Sequence, residues 1–156
     1  MIGMESYKKE AEVSPPQVLI IDDDTDSILP IDAIFRMLGC ETAYAIETED
    51  AQQKIASGRF DIVVLDWYLD TKTGREIIEG ALKRMSEDAQ NHYFASPYRA
   101  RVITYSALRH CEVSLPENNV FEHHGHWRKP INLASLRRTA DHMVRDIKLM
   151  KRLYSA

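Results

Sequence analysis

The sequence lacks the numerous cysteines, long apolar runs and net positive charge that are typical of secreted, membrane-spanning and nucleic-acid-binding chains. Its 156 residues include two cysteines, Cys40 and Cys111, without metal-type spacing, so we expect free thiols in a reducing compartment. Apolar runs stop at four residues, too short for a transmembrane helix, and no apolar stretch follows the first lysines as a secretory signal would require. The net charge of −4 argues against nucleic acid as the main partner. We therefore expect a cytoplasmic protein without membrane or nucleic-acid partners.

The apolar pattern predicts a single α/β domain. Residues 1–16 are polar and end in two prolines, so we interpret them as an N-terminal extension to a domain over 17–156. Predicted strands cover 18–21, 42–46, 62–65, 102–105 and a stretch between 120 and 128. Predicted helices cover 27–38, 48–58, 75–86 and an extended C-terminal 133–154, with Pro30 in the first turn of its helix and Thr48 as an N-cap. Near-continuous apolar strands alternating with helices indicate a doubly wound five-stranded parallel sheet with helices on both faces.

Acidic residues follow two of these strands directly. Asp22, Asp23 and Asp24 come after the first strand, and Asp66 comes after the third. Ligands of doubly wound sheets bind beyond the carboxyl ends of the strands, so neighbouring strands would bring these carboxylates together. Such a cluster needs a cation or raised pKa values, and an all-oxygen site suits Mg²⁺.

Four motifs in order carry a resemblance to a known family. They are VLIIDD at 18–23, DIVVLD at 61–66, VITYSA at 102–107 and Lys129-Pro130. Together they resemble the receiver domains of response regulators (CheY-like), over residues 17–148. The resemblance implies the flavodoxin-like strand order 2-1-3-4-5 and a glycine after the phosphoacceptor strand, which falls on Gly74.

The resemblance also implies a role for each matching residue. Asp66 would be the phosphoacceptor. Mg²⁺ would be held by Asp23, Asp66, the carbonyl of Tyr68 and a water on Asp22. Lys129, through a cis peptide bond to Pro130, would supply a second cation, and Ser106 would donate a hydrogen bond that acts as the switch.

Three features depart from the family pattern. Asp70 stands four residues after the phosphoacceptor, where the family usually has proline. His126 stands where the family has an aromatic switch residue, which raises the hypothesis of pH-dependent activation because imidazole titrates near neutrality. The interval between Asp66 and Ser106 is long, and we assign the excess to an insertion at 87–98.

The expected function is that of a stand-alone response regulator of a two-component phosphorelay. A histidine kinase or histidine phosphotransfer protein would supply the phosphoryl group, and an output protein would read it through protein contacts. We expect a signalling domain rather than an enzyme, with slow autodephosphorylation because Tyr68 and Leu108 would shield the site from water.

Two alternatives use the same residues differently. A haloacid-dehalogenase-like phosphatase would need the loop Asp-x-Asp-x-Thr, but Asp26 stands at the threonine position. It also needs a later acidic pair at a strand end, whereas Asp141 and Asp146 fall in a predicted helix. The other alternative is a pseudo-receiver, a protein-binding module that does not take phosphate; every residue of the phosphorylation set is nonetheless present.

The His123–His126 cluster suggests metal chemistry. Strand alternation would put His124 and His126 on one face, where they could bind Zn²⁺ or Ni²⁺, although a solvated sheet edge is the simpler interpretation. Trp127 beside them is interpreted as a packing or partner-binding residue.

Overall fold

The structure is a computed structural model that describes residues 13–87, 98–107 and 112–154. Its elements are β1 (Gln17–Ile21), α1 (Thr25–Met37), β2 (Glu41–Ala45), α2 (Thr48–Ala56), β3 (Ile62–Asp66), β4 (Tyr68–Leu69), β5 (Lys72–Thr73), α3 (Gly74–Glu87), β6 (Ala100–Ser106), β7 (Phe121–Arg128) and α4 (Leu133–Tyr154). Most of the proposed N-terminal extension and of the 87–98 insertion, together with Leu108 and Cys111, lies outside the described residues.

The main sheet confirms the predicted fold. Five strands pair in the order β2-β1-β3-β6-β7, and every pairing in it is parallel. Helices α1 and α4 pack on one face, and α2 and α3 pack on the other. The strands β1 and β3 are buried along almost their whole length because both of their faces are covered. The order reverses between β1 and β3, so the carboxyl ends of these two strands form the switch point at which such sheets bind ligands.

One predicted helix start and one predicted N-cap differ from the structure. Helix α1 begins at Thr25 because Asp24 caps it, accepting hydrogen bonds from the amide of Asp26 and the hydroxyl of Ser27. Pro30 therefore lies inside the helix rather than in its first turn. Thr48 is the first residue of α2 and not its N-cap, a position that Glu47 occupies.

A short hairpin that was not predicted follows β3. Its strands β4 and β5 are antiparallel, and Asp70 lies at its exposed turn with a φ of 55°. Gly74 then begins α3 against the buried ring of Trp67, where an added Cβ would come within 2.6 Å of that ring. The glycine is therefore required by a close approach to an aromatic side chain, as the resemblance to the family had suggested for this position.

The connection from β6 to β7 is irregular in its described part. Residues 112–120 form no helix there, and Arg75 of α3 holds the segment through the carbonyl and hydroxyl oxygens of Ser114. Among the residues that the structure describes, no helix is long and apolar enough to cross a membrane.

Candidate functional site

Three carboxylates meet at the carboxyl edge of the sheet, as the sequence predicts. Asp22 and Asp23 follow β1, Asp66 ends β3, and one carboxylate oxygen from each lies within 4.8 Å of the others. Asp22 is fully buried and Asp66 is 6% exposed, whereas Asp23 is exposed. Parallel pairing of β1 with β3 produces this arrangement because both strands end at the same edge.

Lys129 reaches this cluster from the far end of β7. Its Nζ lies 3.2 Å from Asp66 Oδ2 and 3.3 Å from Asp22 Oδ2. The backbone amide of this lysine donates to the carbonyl of Ser106 at 2.8 Å, which fixes the chain at this position. The peptide bond from Lys129 to Pro130 is cis, as the resemblance implies. Burial lowers the pKa of Lys129, but the charges of Asp66 and Asp22 outweigh burial and raise that pKa overall.

Tyr105 belongs to the site, although the sequence analysis did not single it out. Its hydroxyl donates to Asp22 Oδ2 at 2.5 Å, and Lys129 Nζ lies 4.8 Å from the centre of its ring. Tyr105 pairs with Asp66 across the β3–β6 ladder and is fully buried. The sequence feature that could have identified Tyr105 is an aromatic residue next to Ser106, on a strand that would lie beside the phosphoacceptor. A buried phenol beside acidic groups usually finds a hydrogen-bond acceptor.

Asp66 is the carboxylate whose titration the site perturbs most clearly. Burial and the charge of Asp22 raise its pKa from 3.8 to about 6, although the attraction of Lys129 lowers it. One lysine thus offsets only part of the charge of three carboxylates. An all-oxygen donor set with uncompensated negative charge fits Mg²⁺, so the residues present suit the cation that the resemblance implies.

The other expected site residues take different positions. Ser106 is buried at the end of β6, one residue beyond the Tyr105 that faces Asp66. Tyr68 is 41% exposed beside the site, and its amide lies 3.4 Å from Asp66 Oδ1. The role expected for its carbonyl stays a prediction. Among the contacts of the described residues, none joins Asp70 to the three carboxylates. Asp70 lies at the exposed turn of the hairpin.

A β-bulge changes the expected geometry of the histidine cluster. The register of β6 with β7 shifts between Val102 and Ile103, so that His123 pairs with Val102 and His126 with Thr104. The prediction that His124 and His126 share a face is therefore wrong, because the extra residue reverses the alternation. Instead, His123 Nε2 and His126 Nδ1 lie 2.9 and 2.8 Å from the buried hydroxyl of Thr104, while His124 is exposed. Trp127 packs, half-buried, against the core, as interpreted from the sequence.

Comparison with solved structures identifies the fold. The chain is similar to a CheY-like response regulator receiver domain from Methylobacillus flagellatus (TM-score 0.57, 19% identity, 83% of this chain and 99% of the other). It is also similar to the receiver domain of the sensor histidine kinase PA1611 from Pseudomonas aeruginosa, a structure with magnesium coordinated in the active site cleft (TM-score 0.60, 16% identity, 85% and 99%). The fold of this chain is that of the response-regulator receiver domains.

Comparison with curated sequences gives partial matches to transcriptional regulatory proteins. The transcriptional regulatory protein PrrA of Mycobacterium tuberculosis is 32% identical over 76 residues, and that of Mycobacterium leprae is 33% identical over 76 residues. The match covers 49% of this chain and 32% of each relative, so the chain spans about a third of the length of the curated relatives it matches. No family model matches the sequence.

Proposed function

We propose that this chain is a receiver domain of a two-component phosphorelay that accepts a phosphoryl group on Asp66 in a Mg²⁺-dependent reaction. The observation that carries the proposal is the position of Asp66. It is a nearly buried carboxylate within 4.8 Å of two others and 3.2 Å from the ammonium of Lys129. Phosphoryl transfer depends mainly on positioning and on neutralising the charge of the phosphoryl oxygens, and this site supplies both.

The transfer exchanges one bond at phosphorus for another. A carboxylate oxygen of Asp66 forms the new P–O bond while the P–N bond of a phosphohistidine donor breaks, and the leaving imidazole nitrogen keeps the electron pair and takes a proton. Lys129 stabilises the phosphoryl oxygens, and Ser106 donates a hydrogen bond to one of them. Asp22, Asp23, Asp66 and the Tyr68 carbonyl would hold the Mg²⁺, which supplies charge neutralisation and orients the donor.

The partners follow from the direction of the transfer. A histidine kinase or histidine phosphotransfer protein would supply the phosphoryl group, and an output protein would bind the phosphorylated form. An apolar groove of about 520 Å³ lies beside the site, between α1 and the segment after β7, with Pro30, Ile31, Pro130 and Leu133 in its walls. Its position next to Lys129 is suited to a partner that must bring a phosphorylated side chain to Asp66.

The experiment is phosphorylation with a small donor. Phosphoramidate or acetyl phosphate with Mg²⁺ should add the mass of one phosphoryl group to the full chain, and omission of Mg²⁺ or addition of EDTA should prevent it. Asp66→Asn should abolish the addition, whereas Asp70→Asn, at the exposed hairpin turn, should retain it. An unmodified wild-type chain at saturating donor and Mg²⁺ would instead favour the phosphate-independent binding module. Repeated turnover of p-nitrophenyl phosphate would favour the phosphatase.

A further inference from the structure

The histidine cluster on β7 has a geometry that the phosphoacceptor site does not use. Two imidazole nitrogens, His123 Nε2 and His126 Nδ1, converge on one oxygen, the Thr104 hydroxyl, at 2.9 and 2.8 Å. The carbonyl oxygen of Gly125 lies 3.4 Å from the same hydroxyl. Two imidazole nitrogens and one carbonyl oxygen of the edge strand β7 thus surround the Thr104 hydroxyl of its neighbour β6.

We propose that His123 and His126 form a binding site for a divalent transition ion such as Zn²⁺ or Ni²⁺. Imidazole nitrogen suits these ions, whereas Mg²⁺ prefers oxygen ligands, so this site and the carboxylate site select different cations. Zn–N bonds are about 2.0–2.1 Å long, so an ion bound to both nitrogens lies beside the Thr104 hydroxyl and makes that hydroxyl either a ligand or a displaced neighbour. Water completes the coordination.

The surroundings supply the conditions that such a site needs. Burial lowers the pKa values of both His123 and His126, which favours the neutral imidazole that binds metal. The Gly125 carbonyl interacts with the His123 ring, in the manner of the second-shell groups that orient metal-binding histidines. A hollow of about 430 Å³ opens beside His123, with Arg99 and Glu117 among its other lining residues.

The bulge provides a matched control for the test. His124 is the residue that simple alternation would pair with His126, yet it is the exposed histidine of the three. The untagged full chain is titrated with ZnCl₂, and separately with NiCl₂, in millimolar Mg²⁺ so that the carboxylate site is occupied. The wild type should bind one ion per chain. His123→Gln and His126→Gln should each weaken binding by about tenfold or more, and His124→Gln should change it little.

A second measurement does not depend on any variant folding. Long-range ¹H–¹⁵N spectra of the wild-type imidazoles should show Zn²⁺ perturbing the nitrogens of His123 and His126 and leaving those of His124 and His142 unchanged. The proposal is overturned if no ion binds in the presence of Mg²⁺, or if His124→Gln weakens binding as much as the other two variants. Loss of binding in Asp66→Asn alone would also overturn it, because that result would place the ion at the carboxylates. Neither measurement involves phosphorylation, so failure here leaves the proposed function untouched.

Discussion

Lys129 Nζ lies 3.2 Å from Asp66 Oδ2. This contact offsets only part of the unfavourable free energy of an ionised Asp66 that is buried beside Asp22. The folded state raises the pKa of Asp66 to about 6, above the value of about 3.9 expected in an unfolded chain. A raised carboxyl pKa means that the folded state binds the proton more tightly. Ionised Asp66 therefore destabilises the metal-free fold at neutral pH, and stability is regained as the pH falls through 6 toward 4.

Asp66→Asn should consequently stabilise the metal-free protein. We expect a gain of about 1–3 kcal/mol in the free energy of unfolding near pH 7.5, because a shift of one pKa unit corresponds to about 1.4 kcal/mol and part of the gain is lost with the Lys129 contact. The measurement is urea unfolding in EDTA, with Asp70→Asn as the exposed control. Added Mg²⁺ should stabilise the wild type more than the variant. A variant less stable than the wild type in EDTA would contradict this electrostatic account of the site.

Tyr105→Phe tests the residue that the sequence analysis missed. The change removes the hydroxyl that donates to Asp22 and leaves this buried carboxylate with one donor fewer. We expect a loss of about 1.5–3 kcal/mol in the free energy of unfolding, the range for hydrogen bonds to charged groups, together with slower phosphorylation. Tyr44→Phe on β2, where the ring is 53% exposed, is the matched control. Equal stability of the two variants would show that the Tyr105 hydroxyl does not support Asp22.

The half-buried pair His123 and His126 predicts a pH dependence of stability. The folded state lowers the pKa values of His123 and His126, so the unfolded chain binds protons more readily near pH 6.5. The contribution of these two histidines to stability should be complete above pH 6.5. It should be lost as the pH falls from there toward their lowered pKa values in the folded state. The free energy of unfolding is measured in EDTA between about pH 5.5 and 7.5. As the pH falls, it should decrease more steeply for the wild type than for the double variant His123→Gln and His126→Gln. The raised pKa of Asp66 makes the stability of both proteins rise as the pH falls, which opposes the effect of the histidines. Only the difference between the two curves therefore reports on the histidines. Parallel curves would refute the effect.

The lifetime of the phosphorylated state should depend on Tyr68. This side chain follows Asp66 by two residues and stands, 41% exposed, where it can shield the phosphoryl group from water. We expect slow loss of phosphate from the wild type and a severalfold faster loss in Tyr68→Asn, followed by intact mass after removal of the donor. The second expected shield, Leu108, lies outside the described residues. Phosphate loss within seconds from the wild type would contradict the shielding argument.

The fold and most of the site could be predicted because strong local patterns determine them. The buried strands β1 and β3 have continuous apolar runs that end in aspartates, so their pairing alone brings Asp22 and Asp66 together. The start of α2 at Thr48 and the whole of α4 were equally clear from the residue pattern.

The features that could not be predicted depend on contacts between distant segments. The register between β6 and β7 determines the bulge in β7. No local residue pattern indicates whether His123 or His124 shares a face with His126. The Tyr105–Asp22 hydrogen bond joins residues 83 positions apart, and alternation alone cannot show that this ring points toward the acidic edge. The start of α1 at Thr25 was missed because Asp24, interpreted as part of the acidic cluster, acts as the helix cap.

The most direct test of the central claim is to locate the phosphoryl group chemically. The wild-type chain is treated with phosphoramidate and Mg²⁺, reduced with sodium borohydride, digested and sequenced by mass spectrometry. Borohydride reduces an acyl phosphate on an aspartate to homoserine. We therefore expect homoserine at position 66 and at neither Asp22 nor Asp23, and we expect it to disappear when EDTA replaces Mg²⁺. Homoserine at another aspartate, or a stable phosphoryl group on a serine or histidine with Asp66 intact, would contradict it.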